Sequence, residues 1–141
     1  MRILVADQNV TVRSAVTAYL QHMLELDAVR QAGDDEDLLA QAIGFRPDIV
    51  LLDLGLLSPA QPELLASLHA LDCKPSVIVL GCRLEQRQDA LAAGADDFAC
   101  KGDPPARLLA TMRLAMADCS RRRLGRFDGI VLDDQRSDPD V

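Results

Sequence analysis

Two kinds of hydrophobic pattern alternate along the chain. Short apolar runs occur at Ile3–Ala6, Ile49–Leu52 and Val77–Leu80. In Ile49–Leu52 the apolar residues are consecutive, which is how a strand covered on both faces reads, so the pattern predicts a parallel sheet. Weaker strands are predicted at Ala28–Ala32 and Asp97–Cys100. Between the runs, apolar residues recur every third or fourth position. Val12, Ala15, Val16, Tyr19, Leu20 and Met23 trace one amphipathic helix. Leu38, Leu39, Ala42 and Ile43 trace a second, after the acidic start Asp34–Asp37. Acids at a helix N-terminus complement its dipole, so that run reads as capping and not as a metal site. Leu64, Leu65, Leu68 and Leu71 mark a third helix. Ala90, Leu91 and Ala93 mark a fourth, closed by Gly94 as C-cap. Pro104 and Pro105 open a fifth through Leu108, Leu109, Met112 and Met116, since proline suits a first turn.

The order βαβαβαβαβα defines an α/β fold with an open, doubly wound, five-stranded parallel sheet and right-handed crossovers. Ligands of such sheets bind at the strand C-termini. Residues 1–118 are expected to form the domain and residues 119–141 a C-terminal extension or linker. Residues 120–141 lack a long helical period, and Phe127–Leu132 reads as a short strand or part of a flexible tail.

Composition narrows the function classes. At 141 residues one domain is expected. Aromatics make up only 3% and Trp is absent, so the core must be built from Leu, Val, Ile and Ala. The net charge of −7 argues against nucleic acid as a direct partner, because phosphate binding needs a positive footprint. Arg121, Arg122, Arg123 and Arg126 form one basic cluster, which reads as a solvated helix end. Cys73, Cys82, Cys100 and Cys119 contain no CxxC pair, and there are only two His, which argues against a zinc site. Their irregular spacing suggests reduced thiols and a cytoplasmic location. The chain opens straight into a strand-like run without signal-peptide architecture, and no apolar run approaches membrane-spanning length.

Chemistry concentrates at the strand ends. The first strand ends at Asp7-Gln8, the third at Asp53 and the fourth at Gly81, while Lys101 follows the fifth. With strand order 2-1-3-4-5, Asp7, Asp53 and Lys101 converge on one crevice. A lone acid at a strand end is usually just solvated; two acids and an ammonium together suit an acyl-phosphate site. One carboxylate is the nucleophile, the second helps hold a hard divalent cation such as Mg²⁺, and the lysine neutralises developing charge. His22, His69 and Ser58 lie in no catalytic context and read as surface or packing residues.

The segments RILVADQNVTVRSAV, PDIVLLDLGL, VIVLG and AGADDFACKGDPPARLL together resemble the receiver domain of bacterial two-component response regulators, over residues 1 to about 118. The last segment is similar to receivers that precede a helix-turn-helix output domain. The resemblance implies a flavodoxin-like, CheY-like fold. It implies that Asp53 is the phosphoryl acceptor, that Lys101 contacts the phosphoryl group, and that Asp7, Asp53 and the Gly55 backbone carbonyl hold the metal, with Gln8 as a weak ligand. It places Phe98 at the aromatic switch position and Gly81 at the position of the family's switching hydroxyl. It implies a histidine kinase or phosphotransfer protein as donor. The fourth helix, fifth strand and fifth helix would form the face for a downstream protein or a self-dimer. No dedicated enzyme activity and no membrane partner are expected.

Five departures qualify those expectations. Gln8 replaces the family's second acid, so Mg²⁺ should bind weakly or not at all. Gly81 replaces Thr or Ser, and Phe98 should therefore be buried even without phosphorylation. The segment Gly81–Gly94 looks short. The family's proline four residues after the acceptor is Leu57 here, with Pro59 and Pro62 downstream, and Gly102 stands where a proline usually follows the lysine. Two readings follow: a phosphorylatable receiver, or an atypical receiver that works as an interaction module without phosphorylation. A small flavodoxin-like enzyme is a distant third, lacking a cofactor loop or an evident general base.

Overall fold

The computed structural model describes residues 1–57 and 62–131, with side chains as far as Leu124 in the last helix. The chain runs β1 (Arg2–Ala6), α1 (Val10–Met23), β2 (Ala28–Ala32), α2 (Asp35–Phe45), β3 (Ile49–Asp53), a single 3₁₀ turn (Leu54–Leu56), α3 (Leu64–His69), β4 (Ser76–Gly81), α4 (Gln86–Ala92), β5 (Asp97–Cys100) and α5 (Pro105–Val131). The five strands form one parallel sheet in the order β2-β1-β3-β4-β5. Ser58 and Pro59 lie outside the described residues, as do residues 132–141.

Period-two alternation along each strand divides the core into two layers. Leu4, Ala6, Val50, Leu52, Val77, Val79 and Phe98 face the layer completed by α2, α3 and α4. Ile3, Val5, Ile49, Leu51, Ile78, Leu80 and Ala99 face the layer completed by α1 and α5. Burial on both faces explains the unbroken apolar runs, and each fully buried Leu or Ile contributes roughly 1.5–3 kcal/mol.

The helix ends follow local chemistry. Asn9 caps α1 by accepting from the Thr11 and Val12 amides at 3.0 and 3.1 Å. Asp34 caps α2 through the Asp37 amide at 2.7 Å, so the acidic run is indeed capping chemistry. Gly94 closes α4 with φ of 114°, a conformation L side chains resist. The segment expected to be short holds a two-turn α4. His69 also has a packing role: its Nε2 lies 2.8 Å from Asp96 Oδ2, tying α3 to the start of β5.

The C-terminal expectation needs correction. Residues Phe127–Val131 form neither a strand nor a tail; α5 continues through them. The boundary expected at residue 118 falls inside this helix, one residue before the buried Cys119. The basic cluster is more than a solvated end. Arg122 donates to Ser76 Oγ at 2.6 Å, and Arg123 pairs with Asp48. Both contacts lie at the N-terminal edge of the sheet, opposite the strand ends that carry Asp53 and Lys101. Local pattern could not show this, because Asp48 and Ser76 belong to distant parts of the chain.

Candidate functional site

β1 and β3 are neighbours, so Asp7 and Asp53 emerge side by side at the C-terminal edge. Lys101 follows β5 and is held by its own amide, which donates to Gly81 O at 2.7 Å. Its ammonium then reaches both carboxylates, 2.8 Å from Asp7 Oδ2 and 2.6 Å from Asp53 Oδ1. The remaining oxygens are also engaged. Asp7 Oδ1 accepts from the Asn9 amide at 2.9 Å and Asp53 Oδ2 from the Gly55 amide at 3.0 Å. All four carboxylate oxygens therefore accept a hydrogen bond.

Burial differs across the triad. The Asp7 side chain is 5% exposed, while Asp53 and Lys101 are more accessible, at 17% and 25%. Asp53 is thus the carboxylate an incoming group can reach, and Asp7 is the fixed charge behind it. Burial pulls the Lys101 pKa down, but its hydrogen bonds and charge attraction to Asp53 and Asp7 outweigh this and hold it above the ordinary lysine value. The lysine is a permanent cation at neutral pH.

Gly81 and Phe98 meet behind this edge. Phe98 is 4% exposed, so the expected burial is what the structure has. A Cβ at Gly81 would lie 2.7 Å from Cε1 and Cζ of the Phe98 ring, and 2.7 Å from Gln86 Oε1. The ring fills the space that a side chain at position 81 would need. Gln86 Oε1 accepts from the Cys82 and Arg83 amides at 2.8 and 3.1 Å, tying the β4–α4 loop to the first turn of α4.

A hard cation requires oxygen ligands, and Asp7 and Asp53 supply them in kind. Among the described residues no cluster of three or more His, Cys, Asp or Glu is arranged to hold a metal. Gln8 is exposed and adds no charge, and the Gly55 amide donates to Asp53 at this site. The pocket fits a divalent cation only if Lys101 yields part of its hold on the two carboxylates.

Three supporting residues escaped the sequence reading. Asn9 both caps α1 and orients Asp7, and its type and place before a helical period are the usual N-cap signal. Gln86 carried no such signal, because its role depends on a loop conformation. Arg13 also braces the site, donating to Asp7 O at 2.8 Å and to Gln31 Oε1 at 3.0 Å.

A doubly wound sheet with an aspartate pair and a lysine at this edge defines a receiver-type signalling module. The family model for the response regulator receiver domain matches residues 3–113, and the chain belongs to that family. It is 33% identical over 127 residues to the KDP operon transcriptional regulatory protein KdpE of Escherichia coli strain K12, covering 84% of this chain and 56% of that protein. It is 25% identical over 117 residues to the oxygen regulatory protein NreC of Staphylococcus aureus strain JH9, covering 80% and 54%. The chain thus spans about half the length of these curated relatives. Among solved structures, NtrX from Brucella abortus in complex with ADP superposes with a TM-score of 0.75 at 24% identity, covering 90% of this chain and 29% of that one. The chemotaxis response regulator CheY4 of Vibrio cholerae gives 0.69 at 23% identity, covering 81% and 97%. These likenesses establish the fold. Receiver domains interact with histidine kinases or phosphotransfer proteins and generally bind Mg²⁺ at the acidic pocket. Among the described residues no helix is long and apolar enough to cross a membrane.

Proposed function

We propose that this chain is a two-component receiver that accepts a phosphoryl group on Asp53 from a histidine kinase or phosphotransfer protein. The observation that carries the reading is the Lys101 ammonium seated between Asp7 and Asp53. In the transfer, an Asp53 carboxylate oxygen bonds to phosphorus, the P–N bond of the phosphohistidine breaks, and the imidazole nitrogen keeps the electron pair. Lys101 then faces the added negative charge. The domain acts as an acceptor with at most slow self-dephosphorylation, not as a dedicated enzyme. Asp7, Asp53 and the Gly55 carbonyl would hold Mg²⁺, whose role is to neutralise the phosphoryl oxygens. Gln8 makes that binding weak. The reading places the protein in the cytoplasm, with no direct nucleic-acid or membrane contact, and with the α4–β5–α5 face directed to a downstream partner.

A second reading is favoured by one specific observation: the space for a switching hydroxyl is filled by Phe98. On that reading the receiver is an interaction module that works without phosphorylation. Incubation with a small phosphodonor and Mg²⁺, followed by intact-mass measurement, separates the two. The first reading expects one added phosphoryl group, absent in Asp53→Asn, and tighter Mg²⁺ binding in Gln8→Asp by titration calorimetry. An unmodified wild-type mass at every Mg²⁺ concentration would leave the second reading in place.

A further inference from the structure

Of the strands that border the triad, only β4 brings it no charge and no strong side-chain donor. β1 leads to Asp7, β3 ends in Asp53 beside the Gly55 amide, and Lys101 follows β5. β4 lies between β3 and β5, so its end borders the same pocket. Yet Gly81 has no side chain, and Cys82 carries only a thiol, a weak donor. The main chain offers one donor instead. Gly81 O accepts from the Lys101 amide and so points toward β5. Across the trans peptide that follows, the Cys82 N–H points the opposite way, to the β3 side, where Asp53 ends its strand in register with Leu80. That N–H is already taken, at 2.8 Å, by Gln86 Oε1.

Gln86 thus reaches back from the first residue of α4 and sets its head group on the Asp53 side of β4. It also takes the place of a side chain at position 81, since a Cβ there would lie 2.7 Å from Oε1. Its partners fix which way the head group faces. The Cys82 and Arg83 amides can only donate, so the oxygen faces them and both its lone pairs are used. Nε2, with two N–H donors, is therefore turned away from the loop, and among the described residues it makes no hydrogen bond. A phosphoryl group brings three acceptor oxygens, and Lys101 meets them from the β5 side alone. We propose that Gln86 Nε2 donates to a phosphoryl oxygen on Asp53 and meets the group from the β4 side. This rests on Asp53 being the acceptor, as proposed above. One side chain then has two tasks: Oε1 holds the β4–α4 loop, and Nε2 binds the added group.

The rate at which phosphoramidate and Mg²⁺ modify the full chain, read by intact mass, tests this with two variants. Gln86→Leu removes both tasks. Gln86→Glu keeps an oxygen for the Cys82 and Arg83 amides and loses only the donor. Both are expected to be modified at least about tenfold more slowly than the wild type, the usual worth of a hydrogen bond to a charged group. In the wild type, adding beryllofluoride as a phosphoryl mimic should shift the Gln86 Nε2 proton resonances and leave the Cys82 and Arg83 amides nearly in place. A slow Gln86→Leu beside a Gln86→Glu as fast as wild type would reduce Gln86 to a loop anchor and overturn the proposal. So would a Cys82 amide that moves strongly while the Gln86 side chain takes on the shifts of a free glutamine, because the phosphoryl group would then have displaced it. Wild type and both variants modified equally fast would overturn this proposal and leave Asp53 as acceptor, whereas a wild type that is never modified would overturn both.

Discussion

At Gly81 the deciding quantity is space. No residue with a Cβ fits there unless Phe98 and Gln86 both give way, since the added atom would sit 2.7 Å from each. Gly81→Thr should therefore destabilise the domain by about 1–3 kcal/mol, the usual cost of overpacking a core. The urea midpoint measures the loss, and displaced Phe98 ring resonances would identify its cause. Lys101 makes a different kind of contribution. Its pKa is raised in the folded state, so the stability it adds is fully present below the unfolded lysine value and fades as pH rises through the raised one. Lys101→Met should be less stable than wild type, with Asp7 left buried beside Asp53 without its cation. That gap is expected to stay constant through neutral pH and to narrow only above about pH 10.4. Unfolding curves of both proteins from neutral to alkaline pH check this; a gap that closes already near neutrality would mean that the charge of Lys101 is not what holds the triad.

Elements differ in how far local sequence reveals them. The strands were legible because burial on both faces leaves no polar residue within Ile49–Leu52 or Val77–Leu80. The triad was legible because chemistry placed at strand ends needs only strand order to bring it together. The second half of α5 was not legible. After Met116 the apolar period gives way to Ser120 and three arginines, a run that reads as solvated. What holds that half is long-range: Arg122 on Ser76, Arg123 on Asp48, and Cys119 Sγ directed at Asp48 O at 3.6 Å. Arg122→Ala should therefore loosen the helix beyond Cys119, costing about 1 kcal/mol for a partly exposed hydrogen bond. Amide exchange should rise at residues 119–124 and stay unchanged in β3 and β4. Equal protection in the variant and wild type would mean that the helix holds its course without this anchor.

For the whole molecule, the question is how far an event at Asp53 can travel. A modification shifts an equilibrium only by its differential affinity for the two states. In the family the aromatic residue turns inward as a hydroxyl moves toward the phosphoryl group. Here the inward position is already taken by Phe98, and no hydroxyl exists at Gly81 to draw the loop. Gln86 further pins that loop through two amides. Burial of the ring is favourable by roughly 1.5–3 kcal/mol whether or not Asp53 is modified. A phosphoryl mimic at Asp53 should then change amide chemical shifts around Asp7, Gly55 and Lys101 and leave those of Leu84, Arg87 and Arg107 nearly unmoved. Gly81→Thr provides the contrast. Its side chain pushes the ring outward in the unmodified protein and supplies the missing hydroxyl, so in that variant the mimic has a ring to move and the α4–β5–α5 shifts should grow. Large shifts across that face in the wild type would refute a preset surface, as would a Gly81→Thr response confined to the acidic pocket.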